Sequence, residues 1–401
     1  GRLKSIVQET SRREGDLFGF YYDRVKNIRI IKTFNAQQKE TKDLVARIGA
    51  INGLHLKSSL VSSVARNLVG LFISFGPLIV FAYGGYQVMG GAMSIGALVA
   101  YIQYMNRIYA PSNDLSGLYV EYVRARESAL RIYPLLSGKP PVYPIKSLNE
   151  QVCDLAINDL GFEYHKNKPV LNKITCEFRR GRKYAITGLN GSGKTTLVKI
   201  LCKLYEPPVQ CITINGKYDL AKIDPTAWMN KVTVISQESA VLYDTIKHNL
   251  SYANETAGEE EMIGALNKSG LNGLLNKLTA GLDTKVGDGD ESIIPSGGQA
   301  QLISLARLFM RPADVVILDE VTASVDAEKE PILLQEIFGF CNNSIVIAIS
   351  HKLSAIKEFD EVIFLKDGDI AEQGPPHVLM QRKGAFYELF KTQSLNVIQS
   401  V

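Results

Sequence analysis

Three clusters in this 401-residue chain have the residue types and spacing for phosphate chemistry. Gly188-Leu189-Asn190-Gly191-Ser192-Gly193-Lys194-Thr195 fits the pattern GxxxxGK[ST], and Thr196 follows it. The apolar run Tyr184-Ala185-Ile186 precedes it and a helix-forming run, Thr196 to Leu204, comes after, which is the context such a loop needs. Its glycines let backbone N–H groups wrap an anion closely, and the next helix adds partial positive charge at its N-terminus. Lys194 is expected to reach the β- and γ-phosphates of a nucleotide, and the Thr195 hydroxyl to bind Mg²⁺. The second cluster, Val315-Val316-Ile317-Leu318-Asp319-Glu320, reads as an apolar strand ending in two carboxylates. Asp319 can hold Mg²⁺ directly or through water. Glu320 can polarise an attacking water as general base, a role worth about 10²–10⁴ in rate. The third, Ser296-Gly297-Gly298-Gln299, precedes a helical run from Ala300 to Met310. A serine cap with two glycines is again an anion cradle.

Each cluster has a bland alternative: a glycine turn with a surface lysine, a strand ending in common acidic residues, a flexible turn. The strand and helix around the first favour the cradle, and its presence upstream draws the other two towards the same chemistry. A second cradle in one chain is odd unless it serves another copy.

The elements that must position these residues form a βα pattern. Strand-like runs are Lys183–Thr187, Lys231–Ser236, Val315–Leu318, Ser344–Ile349 and Glu361–Leu365, with helical runs between several of them. That predicts an α/β domain with a largely parallel sheet. It follows Ser137 to Pro144, a linker because proline at this density cannot sustain a helix.

Ahead of the linker, Asn67 to Asn106 contains no Asp, Glu, Lys or Arg. A charge at a bilayer centre costs about 2.5–3.5 kcal/mol or more, and one membrane helix needs about 20 residues. The run therefore suits two membrane helices, Leu68 to Tyr83 and Ile95 to beyond Tyr109, with turn signals at Gly84, Gly85, Gly90 and Gly91. The positive-inside rule puts both flanks, with Lys57, Arg66, Arg107, Arg124 and Arg126, on the cytoplasmic side. A buried hairpin in a soluble domain is the alternative, kept open by Gln87, Gln103 and Asn106. Residues 1–66 read as charged, amphipathic helix, either a cytoplasmic extension of membrane helices or a solvated helix. The chain starts at Gly1 inside a polar helical pattern, with no signal peptide visible, and is expected to be a fragment lacking its N-terminal part.

Composition narrows the classes further. At roughly 100–200 residues per domain, two or three domains fit. Lys plus Arg number 45 against 41 for Asp plus Glu, a net charge of +4. That is too balanced for a general nucleic-acid binder, and no nucleic-acid partner is expected. A hydrophobic fraction of 46% excludes disordered and collagen-like chains. Cys153, Cys176, Cys202, Cys211 and Cys341 are odd in number and lack CxxC spacing, so they read as reduced thiols rather than a disulfide frame or zinc site.

The ordered set of the glycine-rich loop, Gln237, Ser296–Gln299, Leu318-Asp319-Glu320, Ser324-Val325-Asp326 and His351 resembles the nucleotide-binding domain of an ABC transporter. With a membrane segment ahead of it, the chain resembles an exporter-type half-transporter. The resemblance implies an α-helical membrane segment, the last two of six helices, followed by an α/β P-loop ABC-type nucleotide-binding domain. It assigns 1–136 to a partial transmembrane domain with a cytoplasmic loop, 137–150 to a linker, 151–391 to the nucleotide-binding domain and 392–401 to a tail.

The family's roles follow residue by residue. Gly188, Asn190, Gly191, Ser192, Gly193, Lys194, Thr195 and Thr196 would hold ATP. Tyr164, in Phe162-Glu163-Tyr164, would stack on adenine, worth about 1–3 kcal/mol. Thr195, Gln237 and Asp319 would ligate Mg²⁺, with Gln237 also touching the attacking water. Glu320 would be the base and His351 a γ-phosphate contact. Ser296, Gly297, Gly298, Gln299 and Asp326 would serve the site across a head-to-tail dimer. Leu17 to Arg29 falls where the family keeps a coupling helix, a plain amphipathic helix being the alternative.

Two departures stand out: Pro295 replaces the family's leucine and Ala300 its basic residue. Proline near a helix start is tolerated, so the cradle is expected to survive. The cluster Arg179, Arg180, Arg182 and Lys183 reads as a solvated hairpin.

The resemblance implies an ATP-hydrolysing exporter subunit, integral to a membrane with its nucleotide domain in the cytoplasm. Its partners would be a second half-transporter, identical or not, the lipid bilayer and an unknown substrate. One rival is a nucleotide-dependent regulator or weakly hydrolysing subunit; Glu320 and His351 speak against it, while Pro295 and Ala300 leave room. The other is a soluble ABC ATPase of translation or DNA repair, which the charge-free run opposes.

Overall fold

The computed structural model describes residues 2–138, 141–236, 241–271, 278, 280–287, 292–323, 325, 326 and 328–398. The chain divides into two units, Gly1–Pro140 and Pro141–Val401.

The first unit is helical: α1 (Arg2–Lys26), α2 (Ile28–Thr33), α3 (Gln37–Met89) and α4 (Ile95–Leu136). The stretch Leu17 to Arg29, read as one helix, is divided at Asn27. The Asn27 amide donates back to the Asp23 carbonyl at 2.9 Å, a local bond that competes with helix continuation. The Phe20 ring lies under the guanidinium groups of Arg24 at 4.0 Å and Arg47 at 4.3 Å, which ties α1 to α3.

Helix α3 has 53 residues and α4 has 42; at 1.5 Å per residue they are about 80 and 63 Å long. Gly84 and Gly85 do not form a turn. Helix α3 runs through both, because extending a nucleated helix outweighs the roughly 1 kcal/mol each glycine costs. The reversal lies just beyond, where Gly91 takes a φ of +74° and the Ser94 hydroxyl caps α4 by accepting from Ala97 N at 3.2 Å. Gly84 serves packing instead: a Cβ there would lie 2.3 Å from Leu98 Cδ1, so the two helices approach closely at this point.

Among the described residues no helix is long and apolar enough to cross a membrane. Length is ample.

The second unit is α/β. In chain order it holds β1 (Asp154–His165), β2 (Lys168–Arg179), β3 (Lys183–Gly188), α5 (Lys194–Leu201), β4 (Ile212–Ile214), β5 (Tyr218–Asp219), α6 (Pro225–Met229), β6 (Val232–Ile235), α7 (Ile246–Ser251) and α8 (Glu259–Lys268). Then come β7 (Lys285–Val286), β8 (Ser292–Ile293), α9 (Gly297–Met310), β9 (Val315–Asp319), α10 (Glu330–Phe340), β10 (Ile345–Ile349), α11 (Leu353–Ile356), β11 (Glu361–Lys366), β12 (Asp369–Gly374), α12 (Pro376–Arg382) and α13 (Ala385–Ile398). The main sheet has the order β12-β11-β3-β10-β9-β6. It is parallel except for the antiparallel edge pair β11–β12. A second sheet, β2-β1-β4-β5, is antiparallel.

Alternate residues of the main strands feed two cores, one on each face of the sheet. Ala185, Val316, Leu318, Val346 and Ala348 enter one, and Ile186, Val315, Ile317, Ile345 and Ile347 the other. In the second core Trp228 is fully buried and donates its indole N–H to Leu201 O at 2.7 Å.

The segment before β1 is anchored. Ile145 bridges to Ile223, its N–H donating to Lys222 O at 3.1 Å and its carbonyl accepting from Asp224 N at 2.8 Å. The Tyr143 hydroxyl donates to the Glu206 carboxylate, and the Lys203 ammonium sits 4.1 Å from the Tyr143 ring. The Arg179–Lys183 cluster, read as solvated, is partly tied down: Arg180 faces Asp314 at 3.5 Å and Arg182 faces Glu361 at 3.7 Å.

Candidate nucleotide-binding site

The sheet gathers the site at the carboxyl ends of its parallel strands, where open α/β sheets bind ligands. Strand β3 ends at Gly188, β9 at Asp319 and β10 at Ile349. Ile349 is in register with Asp319 on one side and Ile186 on the other. The residues just past those ends are the glycine-rich loop, Glu320 and His351.

The loop's conformation requires its glycines. Gly188 has a φ of +146°, and a Cβ there would lie 2.1 Å from Leu365 O and 3.0 Å from Ser192 Oγ. Gly193 has a φ of +101°, and its Cβ would meet Leu171 Cδ2 at 2.5 Å. Lys194 opens α5 with its side chain curled under the loop, where Nζ donates to Gly188 O and Leu189 O, both at 2.9 Å. Burial pushes its pKa down, against the pull of Glu320 and Asp319. The Thr187 and Ser192 hydroxyls are buried with no hydrogen-bond partner among the described residues. A glycine-lined loop with a spare buried hydroxyl, a helix N-terminus and one ammonium fits a polyphosphate. Asn190 and Thr195 are exposed on this loop.

The carboxylates stand opposite. Asp319 is only 9% exposed; burial, and then the adjacent Glu320, raise its pKa, while Lys194 and Lys199 oppose the shift. Glu320 has a φ of +52°, left-handed backbone that a branched or bulky residue rarely takes. Its N–H donates to Ile349 O at 3.1 Å, and its carbonyl accepts from Ala323 N at 3.0 Å and from Gln301 Nε2 at 2.8 Å. Its side chain meets His351, with Nε2 3.2 Å from Oε1. The His351 pKa is lowered, first by burial, then by Lys194, with Glu320 acting against both. This lowering favours the neutral imidazole at neutral pH, with Nε2 the atom that faces the carboxylate.

Tyr164 lies beside the loop. Its hydroxyl is 3.0 Å from Thr196 Oγ1 on α5, and its ring packs edge-on against Phe162 and Tyr205, with centroids at 5.2 and 5.1 Å. The ring remains 41% exposed, leaving surface for a stacking base.

Ser296, Gly297, Gly298 and Gln299 are not joined to this cluster. Ser296 caps α9 in a reciprocal box: its Oγ accepts from Gln299 N at 3.2 Å, and its N–H donates to Gln299 Oε1 at 3.0 Å. Asp326 is exposed and faces Lys329 at 3.7 Å. Gln237 lies outside the described residues, as does Ser324.

Two residues near Glu320 escaped the sequence reading. Gln301 holds the Glu320 carbonyl, and Lys352 bonds the carbonyls of Thr322 at 2.7 Å and Val325 at 3.2 Å. Both act on backbone groups, which leave no signature in residue type or spacing.

Comparisons with known proteins agree with this geometry. Residues 171–323 match the family model for ABC transporter, and residues 1–112 that for the ABC transporter transmembrane region. Putative multidrug export ATP-binding/permease proteins of Staphylococcus aureus strains NCTC 8325 and COL are each 26% identical over 402 residues, covering 98% of this chain and 68% of theirs. A solved structure of a bacterial Atm1-family ABC exporter with ATP bound shares the fold, with a TM-score of 0.89 at 24% identity over 97% of this chain and 68% of that one. The chain belongs to the ABC transporter family, with a helical transmembrane region followed by an α/β ATP-binding domain of the ATPase type.

Proposed function

We propose that the chain is the ATP-hydrolysing subunit of an exporter that moves an unidentified substrate across a membrane. The observation that carries this is the pairing of Glu320 and His351 beside Lys194 and Asp319 at the carboxyl ends of neighbouring strands. Residues 151–391 are the nucleotide-binding domain in this reading, 137–150 the linker and 392–401 a tail. Helices α3 and α4 correspond to the last two of six membrane helices, and the nucleotide domain faces the cytoplasm.

Gly188, Asn190, Gly191, Ser192, Gly193, Lys194, Thr195 and Thr196 would hold the ATP phosphates, and Tyr164 the base. Thr195, Asp319 and Gln237 would hold Mg²⁺; the donor set of hydroxyl, carboxylate and amide oxygens suits a hard cation. Mg²⁺, when bound, neutralises phosphate charge. Glu320 takes the proton of the attacking water, and His351 keeps the carboxylate oriented. With ATP bound, His351 would give its one N–H to the γ-phosphate in place of Glu320.

A second half-transporter, identical or different, would supply its own Ser296-type cradle and Asp326-type loop to this P-loop, while Ser296, Gly297, Gly298, Gln299 and Asp326 of this chain serve the partner. The capped state of Ser296 suits this role. Its oxygen accepts from Gln299 N, which leaves the hydroxyl proton to donate outward.

A regulator that binds without turnover is less favoured, because it has no use for a base held in left-handed backbone. The test is steady-state Mg-ATPase activity of the purified chain and its Glu320→Gln variant. Turnover that is lost on substitution while ATP binding persists supports the proposal. A wild-type chain that binds ATP without hydrolysing it would favour the regulator.

A further inference from the structure

We propose that Lys352 is a positioning residue for hydrolysis: its ammonium ties the turn bearing Glu320 and Asp326 to the strand end bearing His351. The inference rests on the ATPase reading above.

Lys352 directly follows His351 at the end of β10. Its Nζ donates to Thr322 O at 2.7 Å and Val325 O at 3.2 Å. The third direction of the ammonium faces Glu330 Oε1 at 3.4 Å, an ion-pair contact rather than a well-formed hydrogen bond. An ammonium has three donors in three directions, and all three point at one turn and the helix behind it. Glu330 is 1% exposed; its other oxygen accepts from Ser354 Oγ at 2.7 Å. A carboxylate so buried needs a counter-charge, and Lys352 is the cation facing it.

Glu320 itself is fixed to β10 by its N–H bond to Ile349 O and to α9 by Gln301, but beyond it the turn, among the described residues, has mainly short-range bonds. Ala323 N donates to Glu320 O at 3.0 Å and Val325 N to Thr322 O at 3.1 Å. Asp326 O accepts from Lys329 N and Glu330 N, both at 3.0 Å. None of these reaches β10. Lys352 therefore closes a ring: Glu320 meets His351 through side chains, and two residues further on the backbone returns to Lys352. Without it Glu320 keeps its own backbone bonds to Ile349 and Gln301, but the turn from Thr322 to Asp326 loses its tie to the strand end that bears His351.

The test uses the full chain with Mg-ATP as the probe. Lys352→Met would leave Glu330 buried without its cation, so Lys352→Met/Glu330→Gln is the informative variant, with Lys352→Arg as the conservative control. We expect kcat of the double variant to fall about tenfold or more while KM for ATP stays within about threefold, since the P-loop contacts are untouched. Lys352→Arg should recover most of the loss, because guanidinium keeps the charge and the donors. A kcat within about twofold of wild type in folded double variant would overturn the proposal. So would an equal loss in Lys352→Arg, because it would mean that tethering is not what the residue supplies. Absence of hydrolysis in the wild-type chain would instead refute the ATPase reading.

Discussion

Glu320 and His351 meet at 3.2 Å because β9 and β10 lie side by side with Asp319 opposite Ile349. The register of two parallel strands thus sets the distance between a carboxylate and an imidazole that are far apart in sequence. Each residue also tunes the other, and the signs can be measured.

The His351 pKa lies below its ordinary value of 6.5, lowered by burial and Lys194 and raised by Glu320. Glu320→Gln should move the midpoint further down, and Lys194→Met should move it up. Titration of isotope-labelled histidine, with five histidines to assign, reads both. The unfolded chain binds this proton more readily than the folded one between the two pKa values. Stability should therefore decline as pH falls from about 6.5 towards the folded value. A midpoint above 6.5 in the wild type would contradict the burial argument.

At Ser296 the helix cap and the donation to phosphate are separable. Aspartate is as good a cap as serine, but it has no proton to give and repels phosphate. Ser296→Asp should keep the thermal midpoint near wild type and lower ATPase activity about tenfold or more. Ser296→Ala should lose activity and also about 1 kcal/mol of stability. Equal activity in wild type and Ser296→Asp would remove this serine from the nucleotide site.

Tyr164 offers a ring and a hydroxyl with different tasks. Tyr164→Phe breaks only the bond to Thr196, and its ATP affinity should fall about fivefold or less. Tyr164→Ala removes the stacking face, worth about 1–3 kcal/mol, and should weaken binding about tenfold to a hundredfold. Equilibrium titration with ATP distinguishes them. Equal affinities in all three proteins would mean that the base binds elsewhere.

How much of this was legible in the sequence depended on how local the cause is. The glycine-rich loop and its flanking strand and helix were readable, because Gly188 to Thr195 carries its own backbone requirements. The strand-like runs 183–187, 231–236, 315–318, 344–349 and 361–365 each match an observed strand to within one residue at either end, because fully buried parallel strands are short, uninterrupted apolar runs. The approach of Glu320 to His351 was not derivable from spacing, since it depends on strand order. Gln301 was invisible because its partner is a carbonyl, and Lys352 because its two hydrogen bonds go to carbonyls and its ion pair with Glu330 spans two separate elements. Gly84 was misread as a turn, because a glycine that lets Leu98 approach looks the same in sequence as one that bends the chain.

The nucleotide domain draws on residues ahead of β1. Ile145 pairs with Ile223, and Leu148 and Val152 are 6% and 0% exposed. A piece spanning 141–398 should therefore be more stable than one spanning 151–398. Exposing the Leu148 site alone costs about 1.5–3 kcal/mol. Thermal melts of the two pieces would show the difference, and coincident melts would mean that residues 141–150 contribute nothing to the fold.

The left-handed backbone at Glu320 has a bearing on engineering. A non-glycine residue in that conformation costs of order 1–3 kcal/mol, and glycine there would relieve it. With Glu320 as the proposed base, thermal robustness and turnover pull in opposite directions at a single position. A search for sturdier variants that scores melting temperature alone would drift towards Glu320→Gly and return a protein that is harder to unfold and no longer turns over.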